Sequence, residues 1–94
     1  MKNIQHNPGT TTGEFIYMLD GESVGKMTYS KMGDTKIIVD HTETDSSEKG
    51  KGIGRALVDA GVKWARENNI TIIPLCPFAK MILERNDEYA DVLG

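Results

Sequence analysis

The sequence predicts an α+β fold: a mostly antiparallel β-meander, then a central helix, a further strand and a C-terminal helix. Three observations predict it. Up to Asp45 the apolar residues alternate or cluster in short β-branched and aromatic runs separated by turn residues, the pattern of half-buried strands. From Ile53 the apolar period becomes helical. The length of 94 residues fits one domain of the usual ~100–200, so residues 1–94 are expected to form a single unit.

The elements follow in order. Ile4 to His6 is a short edge strand, and Asn7-Pro8-Gly9 with the following threonines and Gly13 is turn chemistry. Glu14 to Leu19 is a strand, and Asp20-Gly21 behind it is a hairpin signal that returns Glu22 to Ser30 antiparallel. Gly33-Asp34 marks the next reversal. Thr35 to Asp45 then begins apolar and ends acidic, so its character changes at the far end of the strand. In the helix, Ile53, Leu57, Ala60, Gly61, Trp64 and Ala65 share one face, opposite Arg55, Asp59, Lys63, Arg66 and Glu67. Asn68-Asn69 stops it. Thr71 to Cys76 is a short strand in which Pro74 suits an edge, a bulge or a strand end. Pro77 opens a helix that runs to Arg85, Asn86 ends it, and Asp87 caps a last turn holding Tyr89 and Leu93.

Composition narrows the function. With 38% hydrophobic and 27% charged residues the chain is an ordinary globular one, not a disordered or collagen-like one. A net charge of −3 gives no overall pull towards nucleic acid or anionic lipid, so an anion site has to be local. One cysteine excludes an internal disulfide and a cysteine-based zinc site, and no metal is expected. The N-terminal residues lack the apolar stretch of a signal peptide, and no run approaches the ~20 apolar residues of a membrane span. A cytoplasmic location is the expectation.

The local anion site has one candidate. Glu48-Lys49-Gly50-Lys51-Gly52-Ile53-Gly54-Arg55 sets three alternate glycines and three cations at the start of the long helix. Glycines let backbone amides close on an anion, and the unpaired amides of the first helical turn favour phosphate. The bland alternative is a flexible turn with solvated lysines. Gly54 is followed by Arg55-Ala56, which excludes a Walker A loop. The place where a dinucleotide fingerprint needs its third glycine holds Arg55.

Lys49-Gly50-Lys51-Gly52-Ile53-Gly54 resembles the acetyl-coenzyme A loop of the general N-acetyltransferase (GNAT) superfamily, Arg/Gln-x-x-Gly-x-Gly/Ala, with Lys49 in the first position. The surrounding order of meander, helix, strand and helix resembles a truncated GNAT-like α/β/α fold. His41-Thr42-Glu43, the glycine loop and Cys76-Pro77-Phe78 occur together as in the small, minimal acetyltransferase-like proteins of that superfamily. The resemblance implies acetyl-coenzyme A as cosubstrate, with the amides from Lys49 through Arg55 (Lys49, Gly50, Lys51, Gly52, Ile53, Gly54, Arg55) on its pyrophosphate. It also implies that the pantetheine arm lies between splayed strand ends near Thr44-Asp45 and Leu75-Cys76, against main-chain groups of Thr42, Thr44 and Asp45. The thioester would then arrive near Glu43 and Cys76.

Acetyl transfer to an amine needs a neutral nucleophile, a polarised carbonyl and a proton for the leaving thiolate. Glu43 is one candidate base, and a solvated strand-end carboxylate is the alternative. His41 lies two residues away on the same nominal face and is a second candidate, unless a bulge alters the facing. Cys76, before Pro77, would sit at a helix N-cap, either as an acetyl-accepting nucleophile, as an acid, or as an inert buried thiol. Asp40, Glu43 and Asp45 favour a cationic amine acceptor, a protein or peptide amine among them. The competing classes are a non-catalytic coenzyme A or acyl-coenzyme A binding module and a small interaction domain whose basic loop meets an acidic protein.

Overall fold

A computed structural model describes residues 2–94. A five-stranded sheet is built in chain order from β1 (Lys2–Pro8), β2 (Thr12–Leu19), β3 (Glu22–Met32), β4 (Lys36–Thr44) and β5 (Thr71–Pro74). The first four strands pair antiparallel, and β5 joins β4 in parallel after the crossover through helix α1 (Ile53–Glu67). Helix α2 (Pro77–Arg85) and a 3-10 turn at Asp87–Val92 complete the chain. This is the mixed α+β meander that the sequence predicts. The strand boundaries differ at the ends: β1 is paired along its whole length with β2, and β5 stops at Pro74 because Leu75 and Cys76 both turn their N–H groups onto the carbonyl of Val39.

The local chemistry accounts for the turns. Asp20 and Gly21 both take positive φ, 51° and 85°, which is what a tight two-residue hairpin demands. At the end of α1, Asn69 adopts φ 56° and Ile70 donates to the carbonyl of Ala65, a Schellman closure that satisfies an orphan carbonyl.

The core lies between one face of the sheet and the helices. Phe15 and Met27 pair across β2 and β3, Tyr29 and Val39 across β3 and β4, and Ile37 and Ile72 across β4 and β5; all are buried. Leu57, Val58, Val62 and Ala65 meet them from α1. Val58 and Val62 extend the buried stripe beyond the face read from the sequence, while Trp64 is only partly buried. Each fully buried Val, Leu, Ile, Phe or Met side chain among them contributes ~1.5–3 kcal/mol by leaving water. The helix comes close to the sheet at Gly61, where a Cβ would stand 2.8 Å from Cε of Met27.

One irregularity positions the site. Thr28 is opposite His41 and Tyr29 is opposite Val39, so Asp40 is an extra residue in β4. Its carboxylate accepts from the Thr28 hydroxyl at 2.5 Å. The bulge inverts the facing beyond it: Thr42 and Thr44 follow Met27 and Gly25 towards the helices, while His41 and Glu43 share the opposite face with Thr28 and Lys26.

Candidate functional site

Strands β4 and β5 are paired only from Lys36 with Thr71 to Val39 with Pro74. Beyond that point β4 stays with β3, while the chain after β5 turns away into α2 and leaves a gap. Asp45 donates to the carbonyl of Val24, so the alternation of an antiparallel ladder turns the peptide groups of Thr42 and Thr44 the other way, towards the gap.

The gap opens into a cleft of about 700 Å³, walled by Thr42 to Thr44, the glycine loop, the first turn of α1 and one side of α2. Gly50 and Gly52 take φ 83° and 78°, conformations that disfavour any side chain, and Gly52 is the N-cap of α1. The N-cap Gly52 makes no side-chain cap, so among the described residues the first amides of α1 are left as donors at the cleft.

Of the residues singled out from sequence, Thr42, Glu43, Thr44, Lys49, Gly50, Gly52, Ile53, Gly54 and Arg55 line this cleft. Lys51 stands beside it, its Nζ 2.7 Å from Oε2 of Glu48. That carboxylate oxygen is buried and accepts no directed hydrogen bond, so the lysine charge is what balances it. Asp45 lies past the end of β4, as the N-cap of a 3-10 turn at Ser46–Glu48, and lines a smaller hollow with Lys26 and Glu43.

Arg55 is turned towards the C-terminal turn. Its Nε donates to the Tyr89 hydroxyl at 3.0 Å, a terminal nitrogen donates to Glu88 at 3.0 Å, and Asp59 lies 3.6 Å away. The bond to Tyr89 first, with Asp59 and Glu88 behind it, raises the pKa of the guanidinium above its ordinary value.

The candidate catalytic groups divide. His41 and Glu43 approach to 3.4 Å on the outer face of β4, and Lys26 lies 3.7 Å from the same carboxylate. Cys76 is the N-cap of α2, as the sequence predicts, but it is buried, and its thiol donates to the Thr42 hydroxyl at 3.6 Å instead of capping the helix. One threonine side chain therefore separates the thiol from the cleft.

Three lining residues had no assigned role in the sequence: Glu48, Phe78 and Ile82. Phe78 and Ile82 are four apart, so the helical period would have found both once α2 was known to border the cleft. Among the described residues no cluster of three or more His, Cys, Asp or Glu is placed to hold a metal ion. No helix among them is long and apolar enough to cross a membrane.

Comparison with known proteins bears on this geometry. A family model described as GCN5-related N-acetyl-transferase matches residues 14–92. The solution structure of a GCN5-like protein from Staphylococcus aureus, assigned as an N-acetyltransferase, is 35% identical and superposes with a TM-score of 0.74 over 100% of this chain and 91% of that one. A ribosomal-protein-alanine N-acetyltransferase from Brucella melitensis shares the fold at 21% identity and TM-score 0.70, over 82% of this chain and 62% of that one. A protein from Bacillus anthracis assigned as a streptothricin acetyltransferase, solved with acetyl coenzyme A, shares it at 19% identity and TM-score 0.60, over 70% and 38%. No curated protein sequence matches the chain significantly.

Proposed function

The chain belongs to the GCN5-related N-acetyltransferase family, and we propose from this premise that residues 1–94 act as one domain that moves an acetyl group from acetyl-coenzyme A to an amine. The observation that carries the reading is a single cleft joining uncapped helix amides at one end to the β4–β5 gap at the other. A diphosphate suits the first end, and an extended amide-bearing arm suits the second, where the peptide groups of Thr42 and Thr44 are turned outward. Lys49 adds local positive charge to a chain of net −3.

When bound, acetyl-coenzyme A supplies a thioester whose carbonyl carbon is open to an amine. Transfer forms an N–C bond, breaks the C–S bond, removes a proton from the amine and returns one to the thiolate. His41 and Glu43, paired on the outer face of β4, are assigned to hold the amine and take its proton. Asp40 and Asp45 extend the acidic surface that favours a cationic acceptor, a protein or peptide amine among the candidates. Cys76, behind Thr42, is assigned to the thiolate end, as proton donor or as a nucleophile that carries the acetyl group in transit.

Titration with coenzyme A tests the binding half: amide shifts are expected at Gly50 to Arg55 and at Thr42 and Thr44, and their absence at saturation removes the reading. Thiol release from acetyl-coenzyme A with a panel of amines tests the chemistry. Glu43→Gln is expected to lower turnover about 100-fold, the lower end of what a general base supplies. Cys76→Ser and intact mass after incubation separate the two thiol roles, because only the covalent route leaves an acetylated chain. A second reading, a coenzyme A binding module without turnover, is favoured by the burial of Cys76 and by the engagement of Glu43 with Lys26 and His41. Full binding with no thiol release for any amine would select it.

A further inference from the structure

We infer that Phe78 is a specificity-determining residue that makes the cleft prefer ligands with an apolar arm directly behind their phosphates. The inference rests on the coenzyme A reading of the cleft. Its starting point is Gly54, the third glycine of the loop. Gly50 and Gly52 need positive φ, but Gly54 does not: it lies inside α1 with a φ open to any residue. Glycine is a poor helix former, so its presence at a helical position asks for another cause. The Phe78 ring occupies the space that a side chain at Gly54 would need. A Cβ on Gly54 would stand 2.6 Å from both Cε2 and Cζ of that ring, well inside contact distance.

Phe78 is a large apolar residue that stays 37% exposed. It lines the cleft together with Ile53 and Ile82. Donor amides and apolar wall therefore meet within the first turn of α1. A ligand whose phosphates sit on those amides meets hydrocarbon at once if it continues into the cleft. A nucleotide that ends at its phosphates leaves the ring in water. Coenzyme A has the required order, because one methylene after its diphosphate comes a carbon bearing two methyl groups. Covering the ring removes apolar surface from water, and this gain is available only to a ligand with the arm.

The experiment compares coenzyme A with adenosine 3′-phosphate 5′-diphosphate, which has the same head and no arm, by calorimetric titration of wild type, Phe78→Ala, Phe78→Leu and Gly54→Ala, each with a melting curve. Phe78→Ala is expected to weaken coenzyme A about tenfold and the armless ligand by no more than about twofold, as expected for loss of one apolar contact. Phe78→Leu keeps most of the preference. Gly54→Ala has to push the far edge of the ring aside, so it weakens coenzyme A while the melting temperature holds or rises, because alanine is the better helix former. A merely structural contact would lower both together. Equal loss of both ligands in Phe78→Ala, or an unchanged ratio, overturns the role of Phe78 and leaves the coenzyme A site standing. Failure of the wild type to bind coenzyme A overturns the site and the inference with it.

Discussion

His6, on edge strand β1, shows how far one side chain can be tied into the core from the border of the sheet. Its ring stacks on Phe15 at 4.1 Å between centroids with the planes 4° apart, meets Trp64 edge-on, and its Nε2 lies 2.5 Å from the Tyr29 hydroxyl. Burial first, and then the charge of Lys31, lowers the pKa of His6 below 6.5. Burial also raises the pKa of Tyr29, which keeps its hydroxyl protonated and able to donate to a neutral imidazole. The sign follows from linkage: a histidine with a depressed native pKa binds its proton more readily when unfolded, so stability is full above 6.5 and falls as pH drops through that value towards the lower native one. Melting temperature is therefore expected to drop by a few degrees between pH 7 and pH 5.5. His6→Gln should lower it at pH 7 and flatten the slope; an unchanged slope in that variant would show that other groups cause it. In the sequence His6 was legible only as the end of a strand, because its partners Phe15, Tyr29 and Trp64 lie on three other elements, β2, β3 and α1. The facing of His41 and Glu43 was hidden for a related reason. The extra residue that turns them outward is Asp40, and nothing in the alternation of Thr35 to Asp45 marks a bulge that becomes visible only against β3.

The glycine loop between β4 and α1 carries a charge balance that its composition conceals. Three cations surround it, but Lys51 is held by Glu48 and Arg55 by Glu88, Asp59 and Tyr89, so Lys49 is the cation in the cleft wall with no ion pair among the described residues. Glu48 lines the same cleft, so its carboxylate sets a negative charge in the cleft wall. Glu48→Gln releases Lys51 and removes that charge, and is expected to tighten coenzyme A binding several-fold at low salt. The gain should shrink as ionic strength brings the Debye length from ~30 Å at 0.01 M to ~8 Å at 0.15 M. Weaker binding at every salt concentration would instead make Glu48 a support of the loop. Each helix and strand was legible because its signal is local: the period changes at Ile53, Asp20-Gly21 turns a hairpin, and Pro77 opens a helix. The C-terminal turn was legible as a turn but not as a clamp. Arg66 reaches Asp91 at 2.8 Å and also donates to the carbonyl of Glu88, and these contacts cross from α1 to a segment more than 20 residues away.

At the scale of the whole molecule, the sheet is continuous from β1 to β4 along each strand, but it is closed against β5 over only a few residues. The same framework has to be rigid at one end and open at the other. Hydrogen exchange reads both properties. Amides of β2 and β3, with partners on both sides and the buried face of Phe15, Met27 and Tyr29, should exchange at the rate set by global unfolding. Those of the 46–52 connection should exchange by local opening. At the end of β4 and just past it the ladder predicts alternation: Glu43 and Asp45 are turned to β3 and exchange slowly, while Thr42 and Thr44 are turned to the gap and exchange fast. Saturating coenzyme A should slow Thr42, Thr44 and the first amides of α1 and leave Glu43 and Asp45 unchanged. Uniform protection along Thr42 to Asp45 in the free protein would mean that the strand ends are paired in solution, and the arm would then have no gap to enter.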